Sequence, residues 1–349
     1  MPWNEDKLKQ HLKEGELRPL YVLYGEESYL VKQYAEKLCR RAMGEDDALD
    51  SFNLHRFDGT RCDFDEIEEA AEALPLMAER TCVMVRDYDV AAHGDSHERL
   101  VTLCQQPSDS CVLIFYYDAV SVSPTKNARW KSLLAAAEQS GAVVKLDRRT
   151  PEEIVRMLVA GATRRGCTMR PDAARLLLEW CGNDLNLLLC ELDKLAALAG
   201  GGEIDRPLVE RAATRNLESR VFDLSKAILA GQYTRAYEVL HALFAQKEDP
   251  IMVNGVLASA WADLYRVKVA EAAGEQPTAV AGVYPGYKGK EFRLRNAARD
   301  ASRLSVATLR EGLEVLVEAD RRLKFTSANP HIVLEETAAH LILLTRQRS

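Results

Sequence analysis

A parallel α/β domain covered by helices on both faces, followed by all-helical domains, is predicted by three features of this sequence. Between residues 20 and 147 five strand-like segments, most of them short apolar runs, alternate with segments of helical periodicity, the pattern that crossover helices impose on a parallel sheet. At Thr150-Pro151-Glu152-Glu153 the pattern changes: Thr as N-cap, Pro in the first helical position and Glu in the third form a capping box. Beyond that point the chain reads as almost entirely helical.

The elements follow in order. Leu20–Tyr24 is a short apolar strand ending at Gly25, and Ser28 to Met43 is a helix with Leu30, Tyr34, Leu38 and Met43 among its apolar positions. Ser51 to Phe57 alternates loosely as a strand. An acidic helix over 64–74 carries Phe64, Ile67, Ala71 and Leu74 at helical spacing until Pro75, which disfavours helical geometry at Leu74 and removes a backbone donor. Strand 81–85, a helix containing Leu100 to Cys104, the strongly β-like run Cys111–Tyr117, a helix from Trp130 to Ala137 and strand Ala142–Leu146 complete the series.

Past Thr150, helices are expected at Pro151–Thr163, Asp172–Trp180, Leu185–Leu198 and Pro207–Ala213; Leu185, Leu188, Leu189, Leu192 and Leu195 mark a buried stripe. The last third begins with a helical hairpin, Val221–Leu229 and Thr234–Phe244, turning at Gly231-Gln232. Asp249-Pro250 and Asn329-Pro330 each start a long helix, the first running through Ala273, and Ser305–Lys324 is another. Long amphipathic helices on short loops predict a bundle. The expected domains are 1–149, 150–215 and 216–349.

The totals agree. A chain of 349 residues exceeds one ordinary domain, and 47% hydrophobic with 28% charged residues is the balance of a soluble globular protein. No apolar run approaches membrane-spanning length, and the start has no basic region leading into an apolar one, so no secretory signal is expected. Eight cysteines form no Cys-x-x-Cys pair and lie mostly in apolar segments, which predicts reduced core thiols in a cytoplasmic protein and no metal site. A net charge of −7 argues against a chain that coats nucleic acid over its whole surface. The charge is uneven: Glu45–Glu79 holds 12 acidic and 2 basic residues, whereas Tyr284–Ser349 holds 12 Lys/Arg against 8 Asp/Glu, so phosphate contact suits the C-terminal part.

Catalytic patterns are incomplete. A strand ending in glycine before a helix is where a nucleotide-binding α/β domain places its phosphate loop, which needs two glycines, then Lys and Ser/Thr. Here Gly25-Glu26-Glu27-Ser28 lacks the second glycine, Lys32 falls one residue late, and Glu26 and Glu27 would repel phosphate. After strand Cys111–Tyr117 stands Asp118 followed by Ala119, one carboxylate without the neighbour needed to hold a metal and activate water. There is no Gly-x-Ser-x-Gly and no His-Glu-x-x-His, and the seven histidines are scattered.

Leu74-Pro75-Leu76-Met77 is then the stretch that chemistry leaves unexplained. Leu76 and Met77 either turn inward as a plug for the core or project outward as a wedge for a partner's pocket.

The residues also carry a family resemblance. Leu20–Leu30, Leu74–Arg80, Gly182–Leu185 with Glu191–Leu195, Arg220–Leu224 and Asp320–Lys324 together resemble the delta subunit of bacterial DNA polymerase III, the clamp-loader subunit that opens the sliding clamp. The resemblance implies an AAA+-like first domain with a degenerate phosphate loop at Gly25, Glu26, Glu27 and Ser28, a helical lid and a helical collar. It implies no cofactor and no catalysis by this chain, with ATP bound by neighbouring gamma/tau motor subunits beside a delta-prime subunit. By position, Leu74, Pro75, Leu76 and Met77 form the element that binds the beta sliding clamp; Met77 stands where the family often has Phe. Collar residues of the family face primer-template DNA, which makes Lys290, Phe292, Arg293 and Lys324 the DNA-contact candidates. Two other functions fit a chain of this kind: an AAA+ ATPase with an atypical phosphate loop using Lys32, or a helicase-associated replication adaptor.

Overall fold

The computed structural model describes residues 1–44, 52–287 and 291–346, in two compact units, 1–149 and 150–349. The first is built on five parallel strands: β1 (Leu20–Tyr24), β2 (Leu54–Asp58), β3 (Thr81–Arg86), β4 (Cys111–Tyr116) and β5 (Ala142–Lys145). Their order is β2-β3-β4-β1-β5. Every residue of β1 and β4 is buried, as expected of strands covered on both faces. One face of the sheet shares a core with α3 (Phe64–Glu72), α4 (His97–Gln105) and α5 (Ala128–Ser140): Val22, Val85 and Phe115 join Ile67, Leu100 and Leu133. α2 (Ser28–Met43) adds buried Leu30, Tyr34 and Leu38.

The sequence gives no distinctive sign of α1 (Glu5–Glu14), which is capped by Asn4. Trp3, just before it, bridges to Val144 and so covers the free edge of β5. β2 begins three residues later than the alternation suggests, because Phe52 and Asn53 are helical. The acidic helix stops at Glu72 and not at Leu74: Ala73 already has extended geometry, φ −62° and ψ 137°. A proline clashes with a helical predecessor, and here the chain leaves the helix two residues ahead of Pro75.

In the second unit the capping box is present, with Glu153 N–H donating to Thr150 Oγ1 and Thr150 N–H donating to the Glu153 carboxylate at 2.7 Å. It opens α6 (Pro151–Arg164), followed by α7 (Pro171–Cys181), α8 (Leu185–Ala199) and α9 (Arg206–Ala212). The leucine stripe faces inward at Leu185, Leu188, Leu192 and Leu195, each burial contributing about 1.5–3 kcal/mol. Two-residue strands β6 (Thr168–Met169) and β7 (Glu203–Ile204) pair in parallel, an element too short to leave a period in sequence.

The remaining helices are α10 (Leu217–Leu229), α11 (Tyr233–Ala245), α12 (Pro250–Ala272), α13 (Val280–Val283), α14 (Glu291–Asp300), α15 (Val306–Phe325) and α16 (Pro330–Arg346). They surround a separate core centred on Trp261, Leu257 and Leu316. A Cβ on Gly312 would lie 2.3 Å from Trp261 Nε1, so only glycine lets α15 approach the indole this closely.

Among the described residues no helix is long and apolar enough to cross a membrane. Six of the eight cysteines are buried, Cys62 is half-buried and Cys190 exposed. Burial pushes the Cys104 thiol up to about 12, so it stays a thiol at neutral pH.

Candidate functional site

The connection from α3 to β3 places apolar side chains in solvent. Leu74 is 85% exposed, Leu76 53% and Met77 86%; Pro75 is half-buried. The plug arrangement is therefore not adopted. What is anchored is the backbone. Asn53, itself 1% exposed, accepts the Leu76 N–H at 2.7 Å with Oδ1 and donates Nδ2–H to the Leu76 carbonyl at 3.0 Å. Met77 follows with φ 53°, the left-handed region that costs a residue with a Cβ roughly 1–2 kcal/mol. Strain of this kind concentrates where a surface is shaped for a ligand.

The connection from β1 to α2 is built the opposite way. Gly25 has φ 144°, and a Cβ there would lie 2.1 Å from the Leu146 carbonyl oxygen. The Leu146 N–H donates to Tyr24 O at 2.8 Å, and the Glu27 N–H donates to Leu146 O at 3.1 Å. The glycine serves a close approach between two parts of this chain, and a backbone donor at the phosphate-loop position is committed to a carbonyl. Glu26 and Ser28 are exposed and Glu27 is buried; Arg148 lies 3.8 Å from Glu26.

At the far ends of β3 and β4 the structure pairs Asp118 with a carboxylate that sequence spacing did not suggest, Asp87. Oδ1 of Asp87 accepts the N–H groups of Asp118, Ala119 and Val120 at 3.1, 3.0 and 2.9 Å. Arg86 Nε donates to Asp118 at 2.8 Å. Burial, and then the neighbouring Asp87, raise the Asp118 carboxyl above its ordinary range. For Asp87 burial acts in the same sense, but the hydrogen bonds from Asp118 and the turn amides outweigh it and hold its carboxyl low. The pair shapes a turn. Among the described residues no group of three or more His, Cys, Asp or Glu side chains could hold a metal ion.

Of the C-terminal candidates, Lys290 lies outside the described residues, as does the side chain of Phe292. Arg293 is bound to buried Asp263, its Nη2 and Nε donating at 2.7 and 3.1 Å. Tyr287 also donates to Asp263, and Arg266 Nη1 donates to the Tyr287 hydroxyl at 2.6 Å. Lys324 pairs with Asp320 at 2.9 Å, one helical turn away, with its side chain 44% exposed.

Asn53 and Asp87 escaped the sequence reading. Each acts on backbone far along the chain, Asn53 at a separation of 23 residues, and a lone Asn or Asp beside a strand has no period to betray it. The signal that could have found them is a short polar side chain immediately before or after a strand, a position that many turn residues share.

Fold and sites together define a class: a parallel α/β protein whose phosphate-loop position is closed by its own backbone, joined to helical bundles, with an apolar prong held outward. Comparison with known proteins makes this specific. The family described as DNA polymerase III, delta subunit, matches residues 21–145, and its C-terminal domain matches residues 218–341. The chain therefore belongs to the DNA polymerase III delta subunit family. It is 25% identical to DNA polymerase III subunit delta of Bacillus subtilis, over 93% of each chain. It is 24% identical to the Escherichia coli subunit, over 91% of this chain and 90% of that one. A solved Bacillus subtilis DNA clamp loader delta protein has the same fold, with a TM-score of 0.66 at 23% identity, covering 97% of this chain and 99% of the other.

Proposed function

We propose that this chain binds the beta sliding clamp through Leu76 and Met77, flanked by Leu74 and Pro75, and opens the ring for loading onto primed DNA without hydrolysing ATP itself. The observation that carries the reading is the solvent exposure of two adjacent bulky side chains on a connection whose backbone is hydrogen-bonded in place. Exposed apolar side chains on a positioned backbone are the raw material of an interface hot spot. Fully burying both in a partner's pocket contributes roughly 3–6 kcal/mol by area bookkeeping, before the cost of association.

Ring opening by such a prong needs no bond made or broken. A closed ring holds strain at each interface. A subunit that prefers the shape a protomer takes in the open ring shifts the equilibrium by its difference in affinity between the two. The committed Glu27 N–H and the glutamates beside Gly25 support leaving ATP to neighbouring gamma/tau subunits. In this reading residues 1–149 are the AAA+-like domain, 150–215 a lid, and 216–349 the collar that meets the motor and delta-prime subunits in the cytoplasmic replisome. Contact with primer-template DNA is a secondary part of the proposal and rests on Lys324, whose partner Asp320 is itself partly exposed, whereas Arg293 is held by the buried Asp263.

The test is Leu76→Ala combined with Met77→Ala. Clamp binding in gel filtration should fall by at least about a hundredfold, the lower end of that burial energy, with circular dichroism unchanged. A double variant that still co-elutes with the clamp would sink the reading.

A further inference from the structure

The exposed prong has an anchor that is itself buried. Asn53 sits one residue before β2, and its amide meets both backbone groups of Leu76, N–H to Oδ1 at 2.7 Å and Nδ2–H to carbonyl at 3.0 Å. A side-chain amide engaging donor and acceptor of one residue fixes both the place and the rotation of that peptide. The pair falls between the end of α3, where Ala73 N–H still bonds Glu69 O at 3.0 Å, and the start of β3, where Thr81 N–H bonds Ser110 O at 2.8 Å. It grips the segment immediately before Met77, the residue held at φ 53°. Left-handed backbone at a methionine persists only where its surroundings over-determine it. With Leu76 half in solvent, side-chain packing cannot supply that determination, whereas the Asn53 amide can.

We propose that Asn53 is a positioning residue for the partner contact. It keeps the Leu76–Met77 backbone in the binding-competent shape before the partner arrives, so that association does not have to order the loop. This rests on the clamp-binding reading above. Without the amide, the competent shape becomes one of several, and apparent affinity falls in proportion to its remaining population. Asn53 does not contact the clamp in this scheme and acts on binding through Leu76.

The test uses the full chain and the sliding clamp of the same replication system. Asn53→Ala removes both hydrogen bonds to Leu76. Asn53→Asp, nearly isosteric, keeps the acceptor for the Leu76 N–H and sets a carboxylate oxygen against the Leu76 carbonyl. Expected for both is a tenfold or greater rise in the clamp Kd by surface plasmon resonance, at a temperature where denaturation curves show each variant fully folded. Trypsin cleavage after Arg80 should accelerate in parallel, because the loop is released. Leu76→Ala with Met77→Ala should instead lose clamp binding while leaving the Arg80 cleavage rate near wild type.

Asn53 variants that bind with wild-type affinity, alongside a double variant that does not bind, would overturn the positioning role and leave clamp binding standing. A double variant that binds normally would overturn clamp binding, and this inference with it. Should Asn53→Ala fail to fold, Asn53→Asp decides the question alone.

Discussion

Two strand–helix connections in the first unit show opposite uses of the same local material. Between β1 and α2 the chain turns through Gly25 and is sealed: Leu146 packs its backbone against the glycine and takes up the Glu27 N–H. Between α3 and β3 the chain turns through Pro75 and is left open, with Leu76 and Met77 in water and the Asn53 amide holding the backbone. The first spends polar backbone groups internally at a position where related architectures offer them to phosphate. The second withholds apolar side chains from the core, where they would have contributed to stability. If the second loop binds the clamp as proposed, stability and binding capacity lie in different loops, and the two should respond to mutation in different ways.

That difference can be broken or sharpened by measurement. The largest effect on stability should come from Gly25→Ala. A Cβ 2.1 Å from the Leu146 oxygen and a φ of 144° combine a steric clash with backbone strain, together about 3 kcal/mol or more. Urea denaturation reads this directly, and a loss below 1 kcal/mol would mean that the seal is loose.

A smaller effect is expected at Glu36, which links α2 to β2 through Arg56 at 2.7 and 2.9 Å. The Arg56 guanidinium holds the Glu36 carboxyl below its ordinary value of 4.5. A lowered carboxylate pKa stabilises the fold at pH above the unfolded value, and that contribution is lost as pH falls through the folded value. Because the pair is partly exposed, Glu36→Gln should cost no more than about 0.5–1 kcal/mol at pH 7. The gap from wild type should close on acidification below about pH 4.5.

Smallest of all should be the effect of Leu76→Ala with Met77→Ala on unfolding, within about 0.5 kcal/mol, as for exposed positions generally. A melting temperature that falls by several degrees would show the open loop contributing to the fold after all.

Much of the architecture was legible because it rests on local rules. The apolar runs became β1, β3, β4 and β5, since a strand buried on both faces must be largely apolar, whereas the edge strand β2, Leu54–Asp58, is half exposed and showed only a loose alternation. Thr150-Pro151 announced its helix because the capping box is a four-residue device. The incomplete phosphate loop could also be read, since it is a pattern of consecutive residue types. The end of α3 was less clear, because helical spacing continues to Leu74 while the backbone has left the helix at Ala73. Spacing describes where side chains would point; Pro75 disfavours helix at Leu74, but the backbone turns out one residue sooner than that restriction requires.

The candidate site was half visible. Leu76 and Met77 stood out as bulky residues after a break, yet pattern alone allowed them to face either way; the family resemblance favoured outward. The Asp263–Arg293 pair could not be anticipated either, because 30 residues separate the partners.

By itself the sequence determined the five strands of the first domain, most of the longer helices, the change of architecture at Thr150 and the family, all of which are carried by periodicity, caps and ordered motifs that act between near neighbours. Tertiary structure alone decided that Gly25 answers to Leu146, that Asp87 joins Asp118, and that Asn53 holds Leu76 while its side chain faces water. Each of these depends on a hydrogen bond or a contact between segments that meet only once the sheet has formed, and no local propensity encodes such a meeting.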